Sequence, residues 1–300
     1  MSFAVMLAWP APLRAQTGLE TVLGEGALPL AAVAAALLAA LAALIVAARR
    51  NIDAHRVRAF RSPTDIGRTA IVLLTLWVVC QVAVIGLFLW QISLFDAVVR
   101  DEPVTLDILE SSDTAVALAA GVSFVLYLAG GTVFLCWLSR VRANLPALGV
   151  DDARWGPGWA IGWWFVPFMN LFRPCQLTTE VYQASDAAST ETWRLRSTGI
   201  VGLWWLLWLA SVLAAAVPEA ILRSGEWAFF IGDALAVHEV LVDSTKAEIA
   251  VRVVGILGAL AMVRLIRRIG ANQVARWSQV VAFGETAATE PGMAAPGEPA

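Results

Sequence analysis

Charged side chains are absent from four long stretches of the chain, Ala27 to Ala48, Thr69 to Phe95, Thr114 to Ser139 and Ser197 to Pro218, each at least 22 residues. A helix rises about 1.5 Å per residue, so each run is long enough to cross a hydrocarbon core of about 30 Å. A fifth run, Ala247 to Val263, carries Glu248 and Arg252 near one end, where long side chains reach the interface, and closes on Arg264, Arg267 and Arg268. The first run opens with Pro29, suited to a helix start, and lacks the basic leader and small-residue cleavage site of a signal peptide. The pattern predicts an all-α polytopic membrane bundle of five spans, near residues 27–48, 69–95, 114–139, 197–218 and 247–266.

One further apolar stretch, Trp159 to Phe172 (WAIGWWFVPFMNLF), breaks the pattern. As a helix its length would be only about 21 Å, and Pro167 removes a backbone donor near its middle. Residues 157–174 are therefore read as a broken, re-entrant hairpin on one side of the membrane. The flanks are accessory. Residues 1–26 form a short outer tail, and 284–300 have the Pro, Gly and acidic composition of a disordered end. Residues 218 to 248, with Trp227, Phe229 and Phe230, read as a stretch along the outer interface, and Val274, Trp277 and Val281 recur at the spacing of an amphipathic helix.

Composition agrees with the pattern, since 59% of residues are hydrophobic and only 15% charged, too few charges for a soluble enzyme of 300 residues. The net charge of −3 conceals two unlike faces. Sixteen of the 21 basic residues fall in the loops after the first span, between the third and fourth, and after the last. By the positive-inside rule those loops are cytoplasmic, which puts the N-terminus outside and the C-terminus inside a bacterial cell membrane. Treating 159–172 as a span would invert everything after it and break that rule.

The residues also limit the chemistry. The spans between Thr69 and Pro218 contain no Asp, Glu, Lys or His, the usual marks of ion and proton pathways. His55 and His238 are the only histidines and fall on opposite predicted sides, and Cys80, Cys136 and Cys175 show no metal spacing. No catalytic residue, metal or cofactor is assigned, and nucleic acid is not an expected partner. Ala117 with Gly121, and Gly130 with Gly131, are small pairs that suit close helix packing.

The segments FLCWLSRVRANLPALG from Phe134 and GPGWAIGWWFVPFMNLFRPCQ from Gly156, a later helix with Trp204, Trp205 and Trp208, and a closing stretch with Arg267, Arg268 and Gln273 resemble the bacterial membrane-protein family called domain of unknown function 4328. The resemblance spans roughly residues 64–280 within a membrane domain drawn over 64–283, departs by an added first helix, and implies an integral membrane domain without an activity. Read physically, Trp137, Arg140 and Asn144 share one face of a helix leaving the membrane, and Asn170 sits three residues after Pro167. Arg140 or Asn144 is expected to bridge to Asn170 and clamp the broken segment. Arg140, Arg142 and Arg173 with Trp159, Trp163 and Trp164 would form a basic, aromatic-walled recess for an anionic lipid head group. The expected function is a non-enzymatic membrane module that organises lipid, or a protein partner or second copy, through this cytoplasmic face. The alternatives are a channel lined by the broken hairpin, and a head-group enzyme using Asp151, Asp152 or Glu180.

Overall fold

The computed structural model describes residues 27–186 and 198–289, with side chains over 37–186 and 198–282. Among these residues there is no strand. In chain order the helices are α1 (Ala27–Arg56), α2 (Thr64–Val99), α3 (Leu106–Ala143), the short α4 (Trp159–Gly162), α5 (Arg173–Ser185), α6 (Gly199–Ala214), α7 (Val217–Ser224), α8 (Glu226–Ile231) and α9 (Ala234–Thr289). Among the described residues, four helical stretches are long and apolar enough to cross a membrane: Thr64–Val99, Leu106–Ala143, Gly199–Ile231 and Ala234–Ala282. The uncharged run 27–48 lies within α1, a helix of 30 residues.

A six-residue link turns the chain between α2 and α3, so the two pack antiparallel in a constant register. Trp77 meets Tyr127, and the Cys80 thiol lies 3.1 Å from the Ser123 hydroxyl. Gln91 donates to Asp113 at 2.9 Å further along. Gly130 lies in this seam, where an added Cβ would stand 3.8 Å from Leu73, whereas Gly121 and Gly131 face open space. Close approach elsewhere follows the same logic. An added Cβ at Gly67 would meet the Trp137 indole at 3.2 Å, and one at Gly255 would meet Trp77 at the same distance.

The other helices extend this pair: α9 lies against α2, α6 and α7, and α1 lies against α3. α9 is the largest departure from the sequence reading. The outer-interface stretch, the fifth span and the cytoplasmic amphipathic helix were expected as separate pieces, and from Ala234 onward they form one helix of 56 residues. At about 84 Å it far exceeds a hydrocarbon core, so its ends extend past the apolar span. Its far end is docked by Trp277, stacked on Phe60 at 4.8 Å and 8°. The helix continues to Thr289, into the segment read as a disordered tail; residues 290–300, the tail 1–26, and Arg194 and Arg196 lie outside the described residues.

The core is concentrated at one end of the bundle. Phe134, Trp137, Leu138, Leu145, Leu177, Val181, Trp204, Leu265 and Ile269 are all buried there. On their outward faces the helices expose Val72, Val79, Leu89, Leu118 and Leu206, as contact with lipid favours.

Candidate functional site

The compact end is built around the place where α3 stops. Asn144 caps that helix, and a 3-10 turn, Leu145–Leu148, follows it. Gly149 then takes a left-handed conformation, φ 79°, so that the Val150 amide closes on the Leu145 carbonyl at 3.0 Å. That backbone position explains the glycine of the ALG sequence.

The buried Asn144 amide is fully engaged, but not with the broken segment. Its Nδ2 donates to the Arg61 carbonyl at 3.0 Å and to Gln273 Oε1 at 2.9 Å, and its Oδ1 accepts from the Arg61 backbone at 3.1 Å. Gln273, fully buried on α9, donates to the Val141 carbonyl at 2.8 Å and to Ser185 Oγ at 3.1 Å. Beside it, Arg276 donates to the Ala184 carbonyl at 2.8 Å. Asn51 donates to Ser139 Oγ at 3.1 Å, and that hydroxyl donates to the Pro157 carbonyl at 2.9 Å. One polar layer thus joins α1, the link before α2, the end of α3, α5 and α9. Gln273 was legible only as part of a family pattern, since its partners lie 88 to 132 positions away.

The expected clamp is therefore corrected. No hydrogen bond joins Asn170 to Arg140 or Asn144 among the described residues, because Asn144 has spent its donors and acceptor on Arg61 and Gln273. Asn170 is buried in the 3-10 turn Met169–Leu171, and its backbone amide closes on Val166 at 3.0 Å.

Residues 157–174 enter and leave at this same end of the bundle. Pro157 is tied to Ser139 at the entrance, and Trp205 Nε1 donates to the Leu171 carbonyl at 3.1 Å near the exit. The tip is a tight turn. Phe168 has φ 62° and ψ −39°, and the Met169 amide reaches the Pro167 carbonyl at 2.7 Å. This is a γ-turn with positive φ on a bulky residue, a strained conformation that the fold around it must hold. Phe165, Phe168 and Phe172 are exposed around it, at 60%, 77% and 59%.

The six recess residues separate into distinct environments. Trp164 belongs to an aromatic core with Phe134, Trp204, Trp205 and Trp208, all with centroids within 6.4 Å. Trp159 and Trp163 stack at 4.1 Å, and the Arg173 guanidinium lies over Trp155 and Trp163 at 5.5 and 5.6 Å. Trp155 completes this face and was missed, because nothing in its local sequence separates it from an ordinary loop residue. Arg142 is not at the surface; it is 2% exposed and donates to the Ala153 carbonyl at 3.1 Å. The carboxylate nearest in electrostatic reach is Glu180, also buried, whose Oε1 accepts from the Arg154 amide at 2.9 Å. Arg140 lies apart from the tryptophan face, lining a cavity with Arg50 and Arg61. Asp151 pairs with Arg58 at 3.0 Å on the surface.

Among the described residues no group of His, Cys, Asp and Glu is arranged to hold a metal ion. No curated protein and no solved structure matches the chain. One family model does, over residues 100–271, which takes in α3, the broken segment, its aromatic core and most of α9. The chain therefore belongs to the family described as domain of unknown function (DUF4328).

Proposed function

We propose that this protein is a non-enzymatic membrane module that organises anionic lipid at the cytoplasmic face of a bacterial membrane. Its compact end serves as the contact surface, with the N-terminus outside and the C-terminus inside. The four membrane-length helices support the integral placement, and the arginines of the loops at the compact end support its cytoplasmic orientation.

The observation that carries the reading is the tip of the broken segment. Three exposed phenylalanines surround a strained turn, immediately beside Arg173 stacked on Trp155 and Trp163. Water would penalise so much exposed aromatic surface, at about 25 cal/mol per Å2. A bilayer interface accepts the apolar rings just below the head groups and the arginine and indoles among them. The pore-lining alternative lacks a comparable observation, since the space behind the segment is filled by Phe134, Trp164, Trp204 and Trp205.

Site-directed spin labelling tests the placement. With Cys80, Cys136 and Cys175 replaced by Ser, a nitroxide on Phe168→Cys in reconstituted vesicles should be relaxed by oxygen and shielded from a water-soluble nickel chelate. A label at Asp151→Cys, exposed in the loop before the segment, should show the reverse. A label at 168 open to the nickel reagent would reject the interfacial role.

A further inference from the structure

A separate feature of the compact end lies between α1 and α3, away from the tryptophan face. It is a cavity of about 380 Å3, large enough for part of a small ligand. On α1 its lining passes from Ala43 and Ala47 to Arg50 and Asn51; on α3 it passes from Cys136 to Arg140. Residues three and four apart share a helix face, so both helices present small apolar groups toward mid-bundle and polar groups at the end. Arg61, from the link before α2, completes the polar mouth.

Charge distinguishes this cavity from an ordinary packing gap. The cations that act on Arg140 are Arg61 and Arg50, and the carboxylate nearest in effect is Asp65, which is exposed and pairs with Arg68 at 3.8 Å. None of the three arginines makes an ion pair among the described residues. Arg140 Nε is buried without a protein partner, and Nη1 reaches only the Ser62 carbonyl at 3.5 Å. Arg61 Nη1 reaches Asn51 Oδ1 at 3.4 Å, a long bond that leaves the guanidinium with donors to spare. Three like charges around a half-enclosed space repel one another, and an anion held among them would reverse that cost. Of the three cavity walls only α3 lies within the family-matched residues.

We infer that this cleft binds an anionic membrane phospholipid, its phosphate held by Arg50, Arg61 and Arg140 and the start of one acyl chain lying on the alanine and cysteine floor. The gradient from apolar floor to cationic mouth matches the gradient from chain to head group. A free phosphate ester shares the head-group chemistry but leaves the floor bare, so the lipid is the favoured source. The inference rests on the reading of this end as the cytoplasmic membrane boundary.

The experiment uses the full chain purified in detergent with a mixture of phosphatidylglycerol and phosphatidylcholine, and counts bound lipid by native mass spectrometry. Wild type should retain phosphatidylglycerol in preference to phosphatidylcholine, and millimolar glycerol 3-phosphate should not displace it. Arg50→Gln with Arg140→Gln should weaken that retention about thirtyfold, and added salt should weaken it in wild type. The corresponding double Lys variant should keep most of the binding. Ala47→Phe, which fills the floor and leaves every charge in place, should abolish it. Equal retention by wild type and the Gln variant, or full retention by Ala47→Phe, would overturn the assignment. Displacement by glycerol 3-phosphate would also overturn it, by showing a site for a soluble phosphate ester. The spin label at position 168 is read in the same variants. An immersed label with no selective lipid isolates failure of the cleft, and a water-exposed label isolates failure of the interfacial reading.

Discussion

Replacing Gln273 by Leu tests whether the polar layer at the end of α3 holds the bundle end together or merely fills it. The side chain is completely buried, and Leu is of similar size, so little cavity or overpacking term is expected. Three hydrogen bonds are lost, at 2.8, 2.9 and 3.1 Å. Their costs differ. Ser185 keeps its bond to the Val181 carbonyl at 2.6 Å, and Asn144 keeps both links to Arg61. The penalty therefore falls on one Asn144 N–H and on the Val141 carbonyl. A buried polar group left unpaired costs about 1–3 kcal/mol, partly offset because the Gln amide itself no longer has to be desolvated, for a net loss of about 2 kcal/mol. The assay is reversible unfolding in mixed micelles titrated with denaturing detergent. Asn144→Leu and the double variant complete a cycle whose coupling should be about 1 kcal/mol, because the two side chains share a bond. A loss below about 0.5 kcal/mol with no coupling would place Gln273 among substitutions without structural consequence and refute the reasoning.

Two further outcomes follow from charges buried at the same end. The His55 pKa lies below its usual 6.5, first because burial disfavours the imidazolium and second because Arg142 repels it, although the Ala143 backbone and Asp151 pull the other way. The native state thus resists protonation. Its stability should be complete above about pH 6.5 and fall as pH drops through the lowered value, and His55→Gln should flatten that part of a melting-temperature profile. Arg142→Met should destabilise the protein by about 1–3 kcal/mol, because the buried bond to the Ala153 carbonyl is lost and Glu180 no longer has a cation within electrostatic reach. Adding Glu180→Gln should restore much of that stability in the same detergent titration, and a double variant no more stable than the single would show that the two charges do not depend on each other.

How much could be read beforehand depended on whether the relevant physics was local. Hydrophobic runs set by the bilayer thickness located the helical stretches, Pro167 and a run too short to cross predicted the break at 159–172, and Gly149 was placed in a matching signature. These features depend on neighbours within one continuous stretch of chain. The sequence could not say where α9 began, because its charged and apolar pieces differ in surroundings but not in backbone. Nor could it say which polar side chains meet. Asn144 and Asn170 stand 26 positions apart in one apparent motif, yet Asn144 bonds across 83 and 129 positions to Arg61 and Gln273.

The same division explains the arginines. By sequence Arg140 and Arg142 are near neighbours at a membrane boundary and looked equivalent. Two residues on a helix lie about 200° apart, so once α1 and α5 pack against α3, one guanidinium is turned to the Arg50 and Arg61 cleft and the other is enclosed with Glu180. Trp163 and Trp164, adjacent in the chain, part in the same way, one beneath Arg173 and one in the aromatic core. Residue type and hydrophobic run length by themselves determined the helical membrane-length framework and its charge asymmetry. Only the tertiary structure decided which charges face a cavity, which are buried and which lie on the surface, because helix rotation and contacts far apart in sequence set those environments.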